Sequence, residues 1–371
     1  MLLGLIEEFK KSIKISKYPL VLVAVIVFQT VMCFAIPQKY NYQIEIYKED
    51  YFRYLNIFEG KLSPEKEAAL ASESERLEAE ENEYTNAMTQ LLSGEISNEE
   101  YDRITKEYKG AYGKKKAFEQ IQSQVYYARL DPERRYIAYE NGWTVLLRET
   151  MPDFIAIIAV AFVVCRIFCC EYESKMHSLI ISTKHGKRSV VFSKLAVSAV
   201  FAFSFGAVSM LIKVIYAALR FGLYNPQYPV QSLSMFEACE YTMSLFECFA
   251  LSAVLKLFGL LITAVLTAFV SVLLKRGSFA LFWGAALSIL PYFVFDIRFV
   301  MKRLPNVAFS VACNYFSGVE TVAPDSSYVT EAIPKSDFVL CCISALFIFS
   351  ALNFLVYFCW SKKSLKAVKK V

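Results

Sequence analysis

The sequence predicts an all-α membrane protein: six transmembrane helices with a large extracellular helical-hairpin domain between helices 1 and 2. Three observations predict it. Hydrophobic residues make up 56% of the 371 and mean hydropathy is +0.37, a composition beyond that of ordinary soluble domains. Apolar runs near the ~20 residues needed to cross ~30 Å of hydrocarbon cover 18–37, 152–170, 192–217, 250–274, 279–296 and 338–360. Lys and Arg gather at one end of these runs, as they do on cytoplasmic flanks. Lys10, Lys11, Lys14 and Lys17 precede the first, Lys175, Lys184, Lys187, Arg188 and Lys194 join the second to the third, and Lys275 and Arg276 join the fourth to the fifth. Lys362, Lys363, Lys366, Lys369 and Lys370 follow the sixth.

An even number of spans with all four basic groups on one side puts both termini in the cytoplasm and residues 38–150 outside. That outer segment holds 16 Lys and Arg against 22 Asp and Glu, a net −6, so the remainder carries +11 and the total is +5. The basic inner side calls for anionic lipid head groups and an acidic protein surface, and not for nucleic acid.

Taken in order, residues 1–17 alternate Leu5, Ile6, Phe9 and Ile13 with Glu7, Glu8, Lys10 and Lys11, the pattern of an amphipathic helix on the inner surface. The first span, 18–37, is too long for a signal peptide and lacks a small-x-small cleavage site, so it reads as retained. Within 38–150, Ser63-Pro64 starts a helix and Gly94 stops it. Leu70, Leu77, Tyr84 and Leu91 recur every seven residues with Met88 beside them. Ser97 and Glu100 form a capping box for a second helix, on which Ile104, Ala111, Phe118 and Val125 keep the same spacing. Two such seams predict an antiparallel pair, and Gly110 and Gly113 should weaken or bend its second member. The flanks are aromatic, with Tyr47, Tyr51, Phe52, Tyr54, Tyr136, Tyr139 and Trp143. Two readings stand: the base of the domain, or a surface for a cationic ligand next to Glu78, Glu80, Glu81 and Glu83.

The second span, 152–170, leads into the polar, basic segment 171–191, which should form a short interfacial helix from the spacing of Met176, Leu179, Ile180 and Thr183. Span 192–217 follows, then the external connector 218–249, span 250–274 and span 279–296, which Pro291 should kink or tilt. An external loop, 297–337, span 338–360 and a basic tail, 361–371, complete the chain. Arg166, Lys213 and Lys256 are the ionisable residues inside spans. They either snorkel to the nearest interface or line a substrate path. Eight of the ten Cys lie in or beside spans, and Cys239 and Cys313, the external two, either pair or stay free thiols.

Glu173, Ser174, Leu179, Ser182, Thr183, Gly186, Arg188 and Lys194 match the order found after the second helix in the permeases of type-2 ABC exporters, which this segment resembles. Lys175 stands where that family has Gly, and Lys187 separates Gly186 from Arg188. The resemblance implies a bacterial plasma-membrane permease working as a dimer, with a second copy or a sister permease. It also implies a separate ATPase docked on Glu171, Glu173, Leu179, Ser182, Thr183, Gly186, Lys187 and Arg188. The plainer alternative is a basic loop that only sets orientation.

The chain has no Gly-x-x-x-x-Gly-Lys-Ser/Thr, because Gly186-Lys187 is followed by Arg188, so ATP would be bound and hydrolysed by the partner, and this chain is expected to bind no cofactor itself. An intramembrane enzyme is disfavoured: His177 and His185 both lie in the 171–191 segment and His-Glu-x-x-His is absent, so the chain reads as non-catalytic. A membrane sensor or receptor with an extracellular ligand-binding domain is the alternative, against which stands the lack of a cytoplasmic output domain.

Overall fold

The computed structural model describes residues 2–148, 151–182, 188–322 and 328–362. In chain order the elements are α1 (Leu2–Ile15), α2 (Tyr18–Ala35), α3 (Tyr42–Ile46), α4 (Lys48–Phe58), α5 (Pro64–Ser93), α6 (Asn98–Arg129), α7 (Asn141–Leu147), α8 (Phe154–Glu173) and α9 (His177–Ser182). They continue with α10 (Arg188–Arg220), α11 (Leu245–Leu274), α12 (Gly277–Val294), α13 (Ile297–Arg303), α14 (Pro305–Ala308), α15 (Asn314–Ser317), β1 (Val319–Val322), β2 (Tyr328–Glu331) and α16 (Lys335–Lys362). The chain divides into two compact units, one of residues 1–37, 146–220 and 247–371, the other of 38–145 and 221–246.

The first unit holds the six helices long and apolar enough to cross a membrane: α2, α8, α10, α11, α12 and α16. Burial ranks them. α8 and α11 have 67% and 61% of their apolar windows enclosed against 17% for α2, α12 and α16, so the former pair forms the centre and the latter three the rim. The core joins Ile157, Val160, Val164 and Phe168 of α8 to Phe201 and Phe205 of α10 and to Ala264 and Ala268 of α11. Outside, Leu20, Phe28 and Phe34 on α2 and Phe347 and Phe354 on α16 are exposed, an apolar exterior suited to a hydrocarbon solvent.

At 33 residues α10 is ~50 Å long, more than the bilayer core requires. α1 packs on its first half, with the Phe9 and Phe201 rings 5.5 Å apart. α1 is therefore docked on the bundle, which goes beyond the surface-lying helix its amphipathic pattern suggested. Pro291 lies inside α12, which ends one turn later at Val294. The 297–337 segment is no simple loop: α13, α14 and α15 bury Val300, Val307 and Phe316, and a 3-10 turn at Phe309–Val311 buries Phe309. β1 and β2 follow as an antiparallel pair with Val319 opposite Glu331, the one two-stranded sheet among the described residues.

In the second unit α5 and α6 pair antiparallel. Ser63 Oγ accepts from Lys66 N at the start of α5, Gly94 closes it at φ 80°, and Ser97 caps α6 through Glu100 N. Polar bridges run up the pair in steps of seven, from Glu67–Arg129 to Ser74–Gln122 to Glu81–Lys115, each rise on α5 matched by an equal fall on α6. That is the register a sevenfold repeat imposes. Leu70, Leu77, Phe118 and Val125 are buried as the spacing predicted, but Met88 is 49% exposed and Ala87 takes the inner place.

α6 is unbroken through Gly110 and Gly113. A Cβ on Gly113 would meet Asp50 Oδ2 at 3.3 Å, so this glycine admits a close approach of the α3–α4 junction. The aromatic flanks are the unit's core: Tyr51, Tyr54, Phe58, Tyr139 and Trp143 are buried, Tyr54 and Phe118 sit 5.2 Å apart, and the Tyr51 hydroxyl donates to Gln124.

Residues 221–246 close this unit. Tyr127 Oη donates to Gln231 O at 2.9 Å, Trp143 Nε1 to Tyr224 O at 2.6 Å, and Tyr136 N to Ser232 Oγ at 3.1 Å. The tightest point is Gly142, where an added Cβ would fall 1.8 Å from Gly222 O, well inside any allowed contact. Gly142→Ala therefore has to lift the 221–246 segment off α7, at a cost of roughly 1–3 kcal/mol or more for an overpacked site. Limited proteolysis should show faster cleavage within 221–246 in this variant than in the unsubstituted chain, and equal rates would refute the close approach.

Candidate functional site

The site is built where α8 ends, α9 turns and α10 begins. α8 continues through Glu173, three residues past the end of its apolar run, and carries Glu171 inward, where it is 3% exposed. Lys194, on the second turn of α10, is fully buried against it. Lys194 Nζ lies 3.1 Å from Glu171 Oε1 and 3.0 Å from Glu8 Oε1 of α1, and donates to Ile167 O at 2.6 Å. Lys11 Nζ reaches the same Glu171 oxygen at 2.7 Å.

Two acids and two bases thus form a neutral cluster that binds three helices. In low dielectric such a group persists only when charges balance and hydrogen bonds are made. The Phe168 and Trp360 rings, each 5.8 Å from Lys194 Nζ, complete its surroundings. Glu171 Oε2 is buried and makes no hydrogen bond, so the carboxylate is held through one oxygen.

α9 is fixed from inside. His177 stands 4.2 Å from the Tyr172 ring and 4.6 Å from Trp360, and Ile181, one turn on, enters the main core at 3% exposure. The buried side is therefore His177 and Ile181, whereas the apolar spacing of Met176, Leu179 and Ile180 had suggested another face. Met176 and Leu179 point outward, 52% and 65% exposed, with Ser178 and Ser182 exposed beside them. Arg188 is exposed at the start of α10, its guanidinium 5.9 Å from the Phe192 ring. Glu173 serves within the bundle: its Oε1 accepts from Gly277 N at 2.8 Å and caps the start of α12. Thr183, Gly186 and Lys187, with His185, lie outside the described residues.

The three ionisable residues of the spans separate. Arg166 is exposed on α8 with its guanidinium 5.5 Å from the Phe162 ring, a position that suits snorkelling. Lys213 and Lys256 instead line one cavity with Asp153, Asn306 and Ser310. Asp153 is the organising residue that the sequence reading missed. Its Oδ1 caps α8 at Ala156 N, and its Oδ2 accepts from Ser209 Oγ and lies 3.6 Å from Lys213 Nζ. The Asp before an apolar run was visible as an N-cap signal. The cavity is about 20 Å³, space for roughly one water, so the bundle encloses no substrate-sized passage at this point.

No protein-family model, no curated protein and no solved structure matches this chain.

Proposed function

We propose that the chain is the membrane-spanning permease subunit of an ATP-driven exporter, moving a peptide, lipid or drug-like substrate and powered by a separate ATPase docked on the 171–191 segment. ATP is bound by that partner, and a second permease, a copy or a sister chain, completes the membrane part. The chain lies in a bacterial plasma membrane with both termini and α9 on the cytoplasmic side, and α5 and α6 on the outer side.

The observation that carries this reading is the construction of α9. A loop that only set orientation would need positive charge and nothing else. Here a six-residue helix is locked inward by His177 and Ile181, yet offers Met176 and Leu179 outward. Its two flanking helices, α8 and α10, are joined to each other by Glu171 and Lys194. A push on the outward residues is thereby passed to both helices as one body. Of the two readings of the aromatic flanks, burial of Tyr51, Tyr54, Tyr139 and Trp143 in the core of their own unit favours the base of the domain over a ligand surface.

Photo-crosslinking in cells tests the proposal. A benzophenone side chain at Leu179 should yield an adduct with a protein that carries the nucleotide-binding Gly-x-x-x-x-Gly-Lys-Ser/Thr motif. The same probe at Leu346, exposed at 61% on the lipid-facing rim of α16, should not. An adduct at Leu179 only with lipid, in well-expressed and inserted chain, would overturn it.

A further inference from the structure

On α11, Cys248, Ser252 and Lys256 follow one another at four-residue steps and so share one face of the helix. That face looks onto Cys313, at the start of α15. Ser252 Oγ is 3.2 Å from Cys313 Sγ, and the Cys248 and Cys313 thiols are within hydrogen-bonding distance of each other. Cys248 is 0% exposed and Cys313 1%. The sequence left open whether Cys313 pairs with Cys239 or both stay free thiols; Cys239 belongs to the other unit, next to Gln231 and Tyr241.

We propose that Cys248 and Cys313 form a disulfide in the mature protein, tying α11 to the α14–α15 segment. Cys248 stands in the first turn of α11, at the end opposite Lys275 and Arg276. In the proposed orientation that end meets the outer, oxidising side, where disulfides form and persist. The inference rests on that orientation.

The chemistry is thiol–disulfide exchange with an extracytoplasmic disulfide oxidant. The Cys313 thiolate attacks one sulfur of the oxidant, whose S–S bond breaks to release a thiolate. Cys248, giving up its proton, attacks the Cys313 sulfur of the mixed disulfide and releases the second thiolate. One S–S bond forms in the protein, and both electrons and both protons end on the oxidant as two thiols. Exchange takes place during insertion, before the segment packs, and burial then shields the product from reductants.

The test uses the full chain, with free thiols blocked by N-ethylmaleimide at lysis and again after denaturation without reductant. Mass spectrometry should find two fewer alkylated sites than the ten Cys present, and a linked peptide pair containing Cys248 and Cys313. Cys248→Ser and Cys313→Ser should each expose the remaining thiol to alkylation, and Cys239→Ser should leave the link in place. Alkylation of all ten, or a link between other cysteines, overturns the inference. Labelling of a Ser93→Cys variant by an impermeant maleimide on intact cells reports the orientation separately. Outside labelling with all ten native thiols reduced would discard the disulfide and leave the permease reading standing.

Discussion

Lys194→Met is expected to destabilise the unit that holds the six long helices by about 3–5 kcal/mol, the cost of leaving one buried negative charge of the cluster uncompensated. Glu8 and Glu171 both face Lys194 Nζ at about hydrogen-bond length, and Glu171 already has one oxygen without a partner. Lys11 stays 2.7 Å from Glu171 and 3.6 Å from Glu8, but one half-exposed cation between two carboxylates leaves the cluster with a net negative charge. Adding Glu171→Gln to Lys194→Met should recover a large part of the loss, since the second change removes the stranded charge. Lys11→Met alone should cost no more than ~1 kcal/mol, as for other partly exposed pairs. Thermal unfolding of the detergent-solubilised chain, followed by loss of the monodisperse chromatographic peak, measures the series. Similar losses for Lys194→Met and Lys11→Met would show that burial does not set the energetics of this cluster.

The six long apolar helices were legible because each is a matter of composition and length, and they differ from the apolar runs by a few residues at their ends. The α5–α6 pair was legible for a similar reason: Ser63, Gly94 and Ser97 act through neighbours in sequence, and the sevenfold repeat carries its own register. Met88 was misplaced because Ala87 and Met88 are adjacent, and only the packed partner decides which is inside.

The ion cluster was not legible. Lys194 and Glu171 looked like members of a polar inner segment, and their pairing with Glu8 joins residues more than 160 positions apart, a distance no local pattern encodes. α9 failed differently. In a helix of six residues bounded by apolar Met176 and Ile181, several faces are equally hydrophobic, and the choice falls to His177, whose rings partner Trp360 from the far end of the chain. The same holds for Cys313, whose neighbours come from α11 and not from the nearest external cysteine.

That same short helix gives the second large effect, a separation of coupling from folding. Leu179 is 65% exposed, so Leu179→Asp should shift stability by no more than ~0.5 kcal/mol. If the ATPase seats Leu179 in an apolar pocket, the new carboxylate must lose its hydration there or hold the pocket open. Binding should then weaken by ~1–2 kcal/mol, about 5- to 30-fold. Met176→Asp, on the same outward surface, should act in the same direction.

Ile181→Ala reverses the pattern. It removes buried methylenes from the core and should cost ~2–5 kcal/mol of stability, while leaving the outward surface chemically unchanged. Measured on the reconstituted complex at subsaturating ATPase, Leu179→Asp should lower substrate-stimulated ATP hydrolysis by a similar factor at an unchanged melting temperature. Ile181→Ala should lower the melting temperature, yet keep stimulation per folded molecule well above that of Leu179→Asp. A simple orienting loop predicts normal stimulation in Leu179→Asp, since the inner face stays basic after one added carboxylate. That result, in correctly inserted chain, would remove α9 as the ATPase contact.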